Sequence, residues 1–131
     1  MINFFSKYKI FFYLFNLTLF ILYLFPGSFL GCIFFDNCKV QPQITSDFII
    51  SSNHFYIFVF ITILGYLTYF KTQRLKLIFY YLIFIAIILE ILHTIIPERS
   101  FQFSDLFGNL SGVLIVVLIV FIIKKNEIFK K

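Results

Sequence analysis

The stretch that decides the fold runs from Glu90 to Gly112 and reads EILHTIIPERSFQFSDLFGNLSG. It holds most of the concentrated polar side chains of a very apolar chain, and it separates two long apolar runs. Glu90, His93 and Pro97 recur at a spacing that places them on one face of a helix. Proline lacks an N–H and ends a helix that it does not begin. The first apolar run, residues 75–96, is therefore predicted to be a helix that ends with a polar face.

The second half of the stretch opens the next apolar run, residues 106–123, with a matching pattern. Asp105, Asn109 and Gly112 are also spaced so that they share one helix face. Residues 97–100, with the sequence PERS, form a short polar turn between the two runs. The whole stretch is thus predicted to be a helical hairpin whose two polar faces lie near one mouth.

The composition indicates the class of protein. Of the 131 residues, 61% are hydrophobic and 13% are charged, whereas roughly a quarter of the residues of an ordinary globular domain are charged. A chain this apolar is expected to be a membrane protein, and at roughly 20 apolar residues per crossing it has room for about four helices. The net charge of +5 does not indicate nucleic acid as a partner, because the basic residues lie at the ends of the apolar runs.

Four apolar runs are predicted to be the transmembrane helices of a single all-α domain. Their approximate bounds within this 1–131 domain are 8–25, 54–70, 75–96 and 106–123. Pro26 and Gly27 end the first run, since this pair marks a turn. The connection at residues 28–53 is the longest, and its apolar beginning, SFLGCIFF, is expected to lie in the membrane interface. A short disulfide between its two cysteines, Cys32 and Cys38, is left open.

The basic residues assign an orientation to these helices. All Lys and Arg residues except Lys39 and Arg99 fall on one side of the predicted membrane, namely Lys7, Lys9, Lys71, Arg74, Lys76, Lys124, Lys125, Lys130 and Lys131. Cytoplasmic segments carry the excess of Lys and Arg, so both termini are predicted to be cytoplasmic. His54 then begins its helix at the same outer surface as the polar faces of the hairpin.

The hairpin resembles a known family. Its ordered polar and small residues are Glu90, Pro97, Arg99, Asp105, Asn109 and Gly112. This order is similar to that of the VanZ-like family of small polytopic bacterial membrane proteins. The resemblance implies a multi-pass protein of the bacterial cytoplasmic (inner) membrane that is associated with the cell envelope. Some members of that family are associated with reduced susceptibility to glycopeptide antibiotics such as teicoplanin, and the resemblance implies that this chain could have the same effect. It supplies no established reaction.

Glu90 is the strongest candidate for a functional residue. A carboxylate within an apolar helix costs about 2.5 to 3.5 kcal/mol on insertion scales, so it is expected to face a partner or a watery cleft. Glu90 would then be the acid or base of any reaction. The structural alternative is that Glu90 pairs with Arg99, or accepts a hydrogen bond from His54 or Asn109, and so locks the helices together.

Arg99 and Asp105 are expected at the outer rim. The planar guanidinium of Arg99 suits a lipid phosphate or a carboxylate, and Asp105 is a second candidate for catalysis. In the alternative reading the two form an exposed ion pair worth at most about 1 kcal/mol, while Asp105 or Ser104 is the N-cap of the fourth helix. Asn109, one turn further in, is expected to brace Glu90 or Asp105.

No metal and no cofactor is expected. Glu90 and His93 have the spacing of the Glu-x-x-His ligand pair of di-iron bundles, and His54 could supply a third ligand for zinc. One such pair is a weak signal, and His93 stands where the VanZ-like family usually carries Gln. Each histidine is therefore expected to be a hydrogen-bonding or ligand-binding residue.

Gly108 and Gly112 form a GxxxG pattern, which lets two helices approach closely. Packing within one four-helix unit is the favoured interpretation, and a dimer seam is the alternative. The oligomeric state is not assigned by the sequence.

Two functions follow from these residues. In the first, the outward-facing cluster of Glu90, His93, Arg99, Asp105 and Asn109, with His54 opposite, binds or modifies an envelope amphiphile, such as a membrane lipid or an envelope precursor. In the second, the protein is a non-enzymatic membrane scaffold and the same cluster only fixes the helices.

Overall fold

The computed structural model describes the backbone of residues 4–129 and the side chains of residues 8–125. Over residues 4–129 the chain forms five α-helices and no strand: α1 (Phe4–Leu24), α2 (Phe29–Phe35), α3 (Ser52–Tyr69), α4 (Leu75–Leu92) and α5 (Phe103–Phe129). The predicted all-α class is confirmed. Three of the lysines used to predict the orientation, Lys7, Lys130 and Lys131, have side chains that lie outside the described residues.

The helix that the sequence did not predict is α2. Its first turn forms because the Ser28 hydroxyl accepts a hydrogen bond from the Gly31 N–H at 3.0 Å. At its other end Asp36 adopts a left-handed conformation, with φ 49°, and its N–H donates to the Gly31 carbonyl. The Cys32–Cys38 disulfide then joins α2 to the chain that follows it. The apolar connection is thus a short capped helix, bent by 83° from α1.

Two to three of the predicted membrane-spanning helices are supported by their length and composition. Two helices of the described chain, α4 and the Phe103–Lys125 part of α5, are long and apolar enough to cross a membrane. A third span results if α1 and α2 are counted as one bent span. The second predicted crossing, α3, is not among them, because it begins with the polar residues Ser52, Asn53 and His54. Two to three spans, and not clearly four, are therefore supported.

The two helices of the predicted hairpin also have different ends from those expected. α4 ends at Leu92 and not at residue 96, because the N–H groups of residues 93–95 bond to carbonyls three residues back, which tightens the chain before Pro97. α5 begins at Phe103, and the Leu106 N–H already donates to the Gln102 carbonyl. Asp105 therefore lies within the first turn of α5, and the prediction that Asp105 or Ser104 is the N-cap is wrong.

α3 lies at the centre of the bundle, where it contacts α1, α4 and α5. The core around it excludes solvent, since four of its large side chains are fully buried: Phe58, Ile61, Leu82 and Leu89. The outer faces of the long helices expose many large apolar residues, such as Phe121. Exposed apolar surface of this extent is typical of a protein that lipid surrounds.

Close packing of α5 on α3 fixes the level at which the two helices begin. A Cβ added to Gly108 would lie 2.7 Å from the Ser51 carbonyl oxygen, and one added to Gly112 would lie 2.6 Å from that of Phe55. Both glycines therefore let the α5 backbone touch the α3 backbone. The Ser51 N–H also donates to the Ser104 carbonyl at 3.1 Å, so the starts of the two helices are joined directly.

Candidate functional site

The candidate site lies at one end of the bundle, which we call the cluster end. Here α1 and α4 end while α3 and α5 begin. Six side chains from these four helices and their boundaries lie close together, and we call them the polar cluster: Tyr23, His54, Glu90, His93, Asp105 and Asn109. All of them except Asp105 are less than a tenth exposed. The structure thus brings together the side chains that the sequence placed on three separate apolar runs.

A triangle of hydrogen-bonding groups forms the centre of the cluster. The Tyr23 hydroxyl donates to Asn109 Oδ1 at 2.9 Å and lies 3.1 Å from His54 Nδ1. His54 Nδ1 in turn lies 3.0 Å from Asn109 Oδ1. The orientation of the Asn109 amide is fixed because its Nδ2 donates to the Ala86 carbonyl of α4. Asn109 therefore connects α5 to α1, α3 and α4, and it does not contact Glu90 as the sequence suggested.

A second pair, Glu90 and His93, lies beside this triangle. His93 Nε2 is 3.0 Å from the Tyr23 carbonyl, which can only accept, so Nε2 carries a proton. His93 Nδ1 lies 3.2 Å from Glu90 Oε2, and Glu90 Oε1 accepts a hydrogen bond from the Gln102 N–H at 2.8 Å. Nδ1 and Oε2 lie within ion-pair distance, but they do not form a hydrogen bond. The pair is thus a buried contact between an imidazole and a carboxyl group.

Asp105 extends the cluster towards the surface. Its Oδ2 lies 3.4 Å from His54 Nε2, and its side chain is 15% exposed. The expected ion pair between Arg99 and Asp105 is absent among the described side chains, and Glu90 likewise has no contact with Arg99 there. The carboxylate of Asp105 faces His54 because the first turn of α5 packs against the first turn of α3.

Arg99 has a different role from the one expected at an open rim. Its Nη2 donates to the Leu22 carbonyl at 3.0 Å and its Nε donates to the Phe25 carbonyl at 3.3 Å. These are carbonyls at the end of α1, where a helix leaves such groups without partners. Burial lowers the pKa of Arg99, while Tyr23, Asp105 and Glu90 oppose the shift. The guanidinium thus holds the end of α1 and remains only half-buried.

A polar pocket opens beside the cluster. Its volume is about 260 Å³. Its wall includes two cations, two carboxylates and one imidazole from the cluster, namely Lys39, Arg99, Glu98, Asp105 and His93. A smaller cavity of about 70 Å³ lies next to it and shares Arg99 and His93 with it. The polar pocket is therefore the part of the site that a molecule from outside can reach.

Sequence reasoning missed two contributors to this site. Tyr23 supplies both a hydroxyl and a backbone carbonyl to the cluster. Its position could have indicated this, because Tyr23 lies about one turn before Pro26-Gly27, at the outer end of the first apolar run. Gln102 contributes only its backbone N–H, which no residue pattern reveals. In the metal alternative that the sequence did not favour, the ligands were His93, His54 and Glu90, whereas the three donor atoms within 4.8 Å of one another belong to His54, Glu90 and Asp105.

Comparisons with known proteins identify no relative of this chain. No family model matches it, no curated protein matches it, and no solved structure matches it. The function must therefore be inferred from the site itself.

Proposed function

We propose that the chain is a multi-pass protein of the bacterial cytoplasmic membrane, similar to the VanZ-like family, that binds the anionic head group of an envelope amphiphile in the polar pocket. The observation that carries the proposal is the pocket itself, a polar opening of about 260 Å³ at one end of a bundle whose sides are apolar. An amphiphile has the same division into a polar head and an apolar tail, so its head group fits the pocket while its chains lie along the helices.

The proposed topology has four crossings, with α3 as the fourth. α3 contacts the other three long helices, and Ser52 and His54 at its polar start are buried, so these side chains need no contact with lipid. The exposed basic residues Arg74 and Lys76 lie at the opposite end of the bundle from the polar pocket. By the positive-inside rule that opposite end is cytoplasmic, and the pocket opens to the outside.

The head group is proposed to be anionic because of Arg99 and Lys39. A guanidinium has more N–H donors than the two carbonyls of α1 use, and its fork suits the oxygens of a phosphate or carboxylate. Lys39 lies on the same wall and is exposed, so its ammonium can reach a ligand. If the protein modifies its ligand, Glu90 and His93 are the groups that would move a proton. Through this envelope ligand the protein would affect susceptibility to teicoplanin-type antibiotics.

The binding test uses purified protein in detergent, titrated with phosphatidylglycerol and observed by native mass spectrometry. The main variant is Lys39→Gln, since the Lys39 side chain holds no helix in place. The matched control is Lys76→Gln, which removes the same charge at the other end of the bundle. We expect one lipid per chain for the wild type and the control, and roughly five- to tenfold weaker binding for Lys39→Gln, because a hydrogen bond to a charged group is lost. Equal binding by both variants would count against the pocket.

A membrane scaffold is the second candidate, and the burial of the cluster favours it. Glu90 and Asn109 are 0% exposed and hold helices together whatever else they do. In that case Glu90→Gln lowers the yield of folded protein and has no separate effect on lipid binding or drug susceptibility. A well-folded Glu90→Gln protein that binds lipid but no longer changes susceptibility would instead assign a reaction to Glu90.

A further inference from the structure

We infer that His54, Glu90 and Asp105 form a binding site for one divalent transition-metal ion, for which Zn²⁺ is the suitable probe. One donor atom from each of the three side chains lies within 4.8 Å of the others. The set contains an imidazole nitrogen and two carboxylate oxygens, all of which are zinc ligands in proteins. The inference goes beyond the proposed function, because metal binding can be measured with no lipid present.

The distance between two of the donors matches a metal site better than a hydrogen bond. His54 Nε2 and Asp105 Oδ2 are 3.4 Å apart. Hydrogen bonds from a nitrogen to an oxygen are usually about 2.7 to 3.2 Å long. In a tetrahedral zinc site with bonds of about 2.0 to 2.1 Å, two ligand atoms are about 3.3 Å apart. A metal ion bound to both atoms would therefore need almost no movement of either side chain.

Glu90 provides the independent sign of a ligand. Its side chain is fully buried, and its Oε2 has no hydrogen-bond partner among the described residues. His93 Nδ1 lies 3.2 Å from this oxygen, but the two atoms do not form a hydrogen bond. A buried carboxylate oxygen is costly unless it is paired or binds a metal. The Glu90 carboxylate must come closer to the other two donors to complete a tetrahedral set, which a change in its side-chain torsions supplies.

The surroundings of His54 prepare its Nε2 for a metal. Its Nδ1 lies 3.0 Å from Asn109 Oδ1, which is an acceptor because the Asn109 Nδ2 donates to the Ala86 carbonyl. The Nδ1–H can thus donate to Asn109, and Nε2 then carries a free lone pair that faces Asp105. Histidines that bind metals are nearly always held in this way, by a hydrogen bond from the other ring nitrogen to a carbonyl or carboxylate.

The site would also have room for a fourth ligand. Three protein ligands leave one tetrahedral position open, as in catalytic zinc sites. Asp105 lines the polar pocket and His54 lines the smaller cavity beside it. The open position is therefore next to the space where an external ligand would lie.

The test measures zinc binding by tag-free protein in detergent after treatment with a chelator. Equilibrium dialysis against Zn²⁺ gives the stoichiometry and Kd, and thermal unfolding with and without Zn²⁺ gives an independent readout. Glu90→Gln is nearly isosteric and can still accept from Gln102, while the half-buried Asp105→Asn serves as a second variant. The matched control is Glu98→Gln, which removes an exposed carboxylate from the wall of the same pocket.

We expect one Zn²⁺ per chain and a raised unfolding temperature for the wild type and for Glu98→Gln. Glu90→Gln and Asp105→Asn should each bind Zn²⁺ at least tenfold more weakly and lose the thermal shift. A wild type that binds no Zn²⁺ would overturn the inference. So would Zn²⁺ binding that Glu90→Gln and Asp105→Asn leave unchanged, because the metal would then lie elsewhere.

Discussion

The two ends of the bundle use polar residues in different ways. At the cluster end Tyr23, His54 and Asn109 come from three helices and are 5%, 4% and 0% exposed. We call the opposite end, where Arg74 and Lys76 are exposed, the basic end, and two pairs of polar side chains lie in that half of the bundle. Tyr13 and Tyr69 meet at 2.9 Å, and Tyr81 donates to Asn16 at 2.8 Å. The buried network of the cluster end joins three helices through shared atoms, whereas each of these two pairs joins two helices.

The charged residues differ in the same way. Arg74 and Lys76 at the basic end are exposed, so they can report topology without affecting packing. Glu90 at the cluster end is fully buried, and Arg99 is tied to the end of α1. Burying a charged group costs free energy that an exposed charge does not cost, so a buried charge beside a pocket is a candidate for function. This contrast is the physical ground for placing function at the cluster end.

The largest contrast is expected from the glycines. A Cβ at Gly112 would meet the Phe55 carbonyl oxygen at 2.6 Å, whereas one at Gly65 would meet only side chains, with Ile78 Cγ2 at 3.0 Å and Phe12 Cε2 at 3.2 Å. Gly112→Ala should therefore lower the free energy of unfolding by about 2 to 3 kcal/mol, because backbone must move. Gly65→Ala should cost less than about 1 kcal/mol. Reversible unfolding in mixed detergent micelles measures both, and equal losses would contradict the close approach of α5 to α3.

The next contrast compares two buried asparagines. Asn109→Ala removes the acceptor that the Tyr23 hydroxyl and His54 share and the donor to the Ala86 carbonyl, so we expect a loss of about 2 to 3 kcal/mol. Asn16→Ala breaks only one bond between helices, from Tyr81, and should cost about 1 kcal/mol. The same unfolding assay measures the two. If Asn16→Ala is as harmful as Asn109→Ala, the network at the cluster end is not special.

A smaller contrast removes one hydroxyl at each end. Tyr23→Phe should cost about 1 kcal/mol, since the hydroxyl is buried and bonds to Asn109. Tyr81→Phe should cost about 0.5 kcal/mol, because Tyr81 is only partly buried. A double variant, Tyr23→Phe with Asn109→Ala, checks the coupling. The two losses at the cluster end should not add, because they remove the same bond.

The smallest contrast concerns exposed lysines. Lys39→Gln and Lys76→Gln should both leave the free energy of unfolding unchanged within error, because both side chains are exposed. The two variants should still differ in lipid binding, which only Lys39→Gln weakens. A stability loss in Lys39→Gln would mean that Lys39 supports the fold and that its effect on binding is indirect.

Much of the helical arrangement could be predicted from apolar runs, and the failures have local causes. The capping by Ser28 and Asp36 that makes α2 a helix depends on hydrogen bonds that an apolar run does not reveal. The early end of α4 depends on the tight turn before Pro97, and the early start of α5 on the Gln102 carbonyl. Hydrophobic periodicity locates the middle of a helix better than its ends.

The candidate site was predictable as a group of residues but not as a set of contacts. Spacing placed Glu90, Asp105 and Asn109 at one mouth, and the structure places them there. Their partners depend on backbone atoms such as the Ala86 carbonyl and the Gln102 N–H, which every residue carries. Arg99 was expected either to hold a ligand's phosphate or carboxylate or to pair with Asp105, and the contacts that it makes are to two carbonyls at the end of α1. Residue types can indicate chemistry, but only the folded chain assigns partners.

The most direct test of the account is photo-crosslinking in living cells at the two ends. A photoreactive p-benzoylphenylalanine replaces Gln102, which is exposed on the wall of the polar pocket, or Gln73, which is exposed at the basic end. After irradiation, mass spectrometry identifies what each position has captured. The account predicts one class of anionic amphiphile at position 102 and not at position 73. The same lipids at both positions, or only protein at position 102, would contradict it.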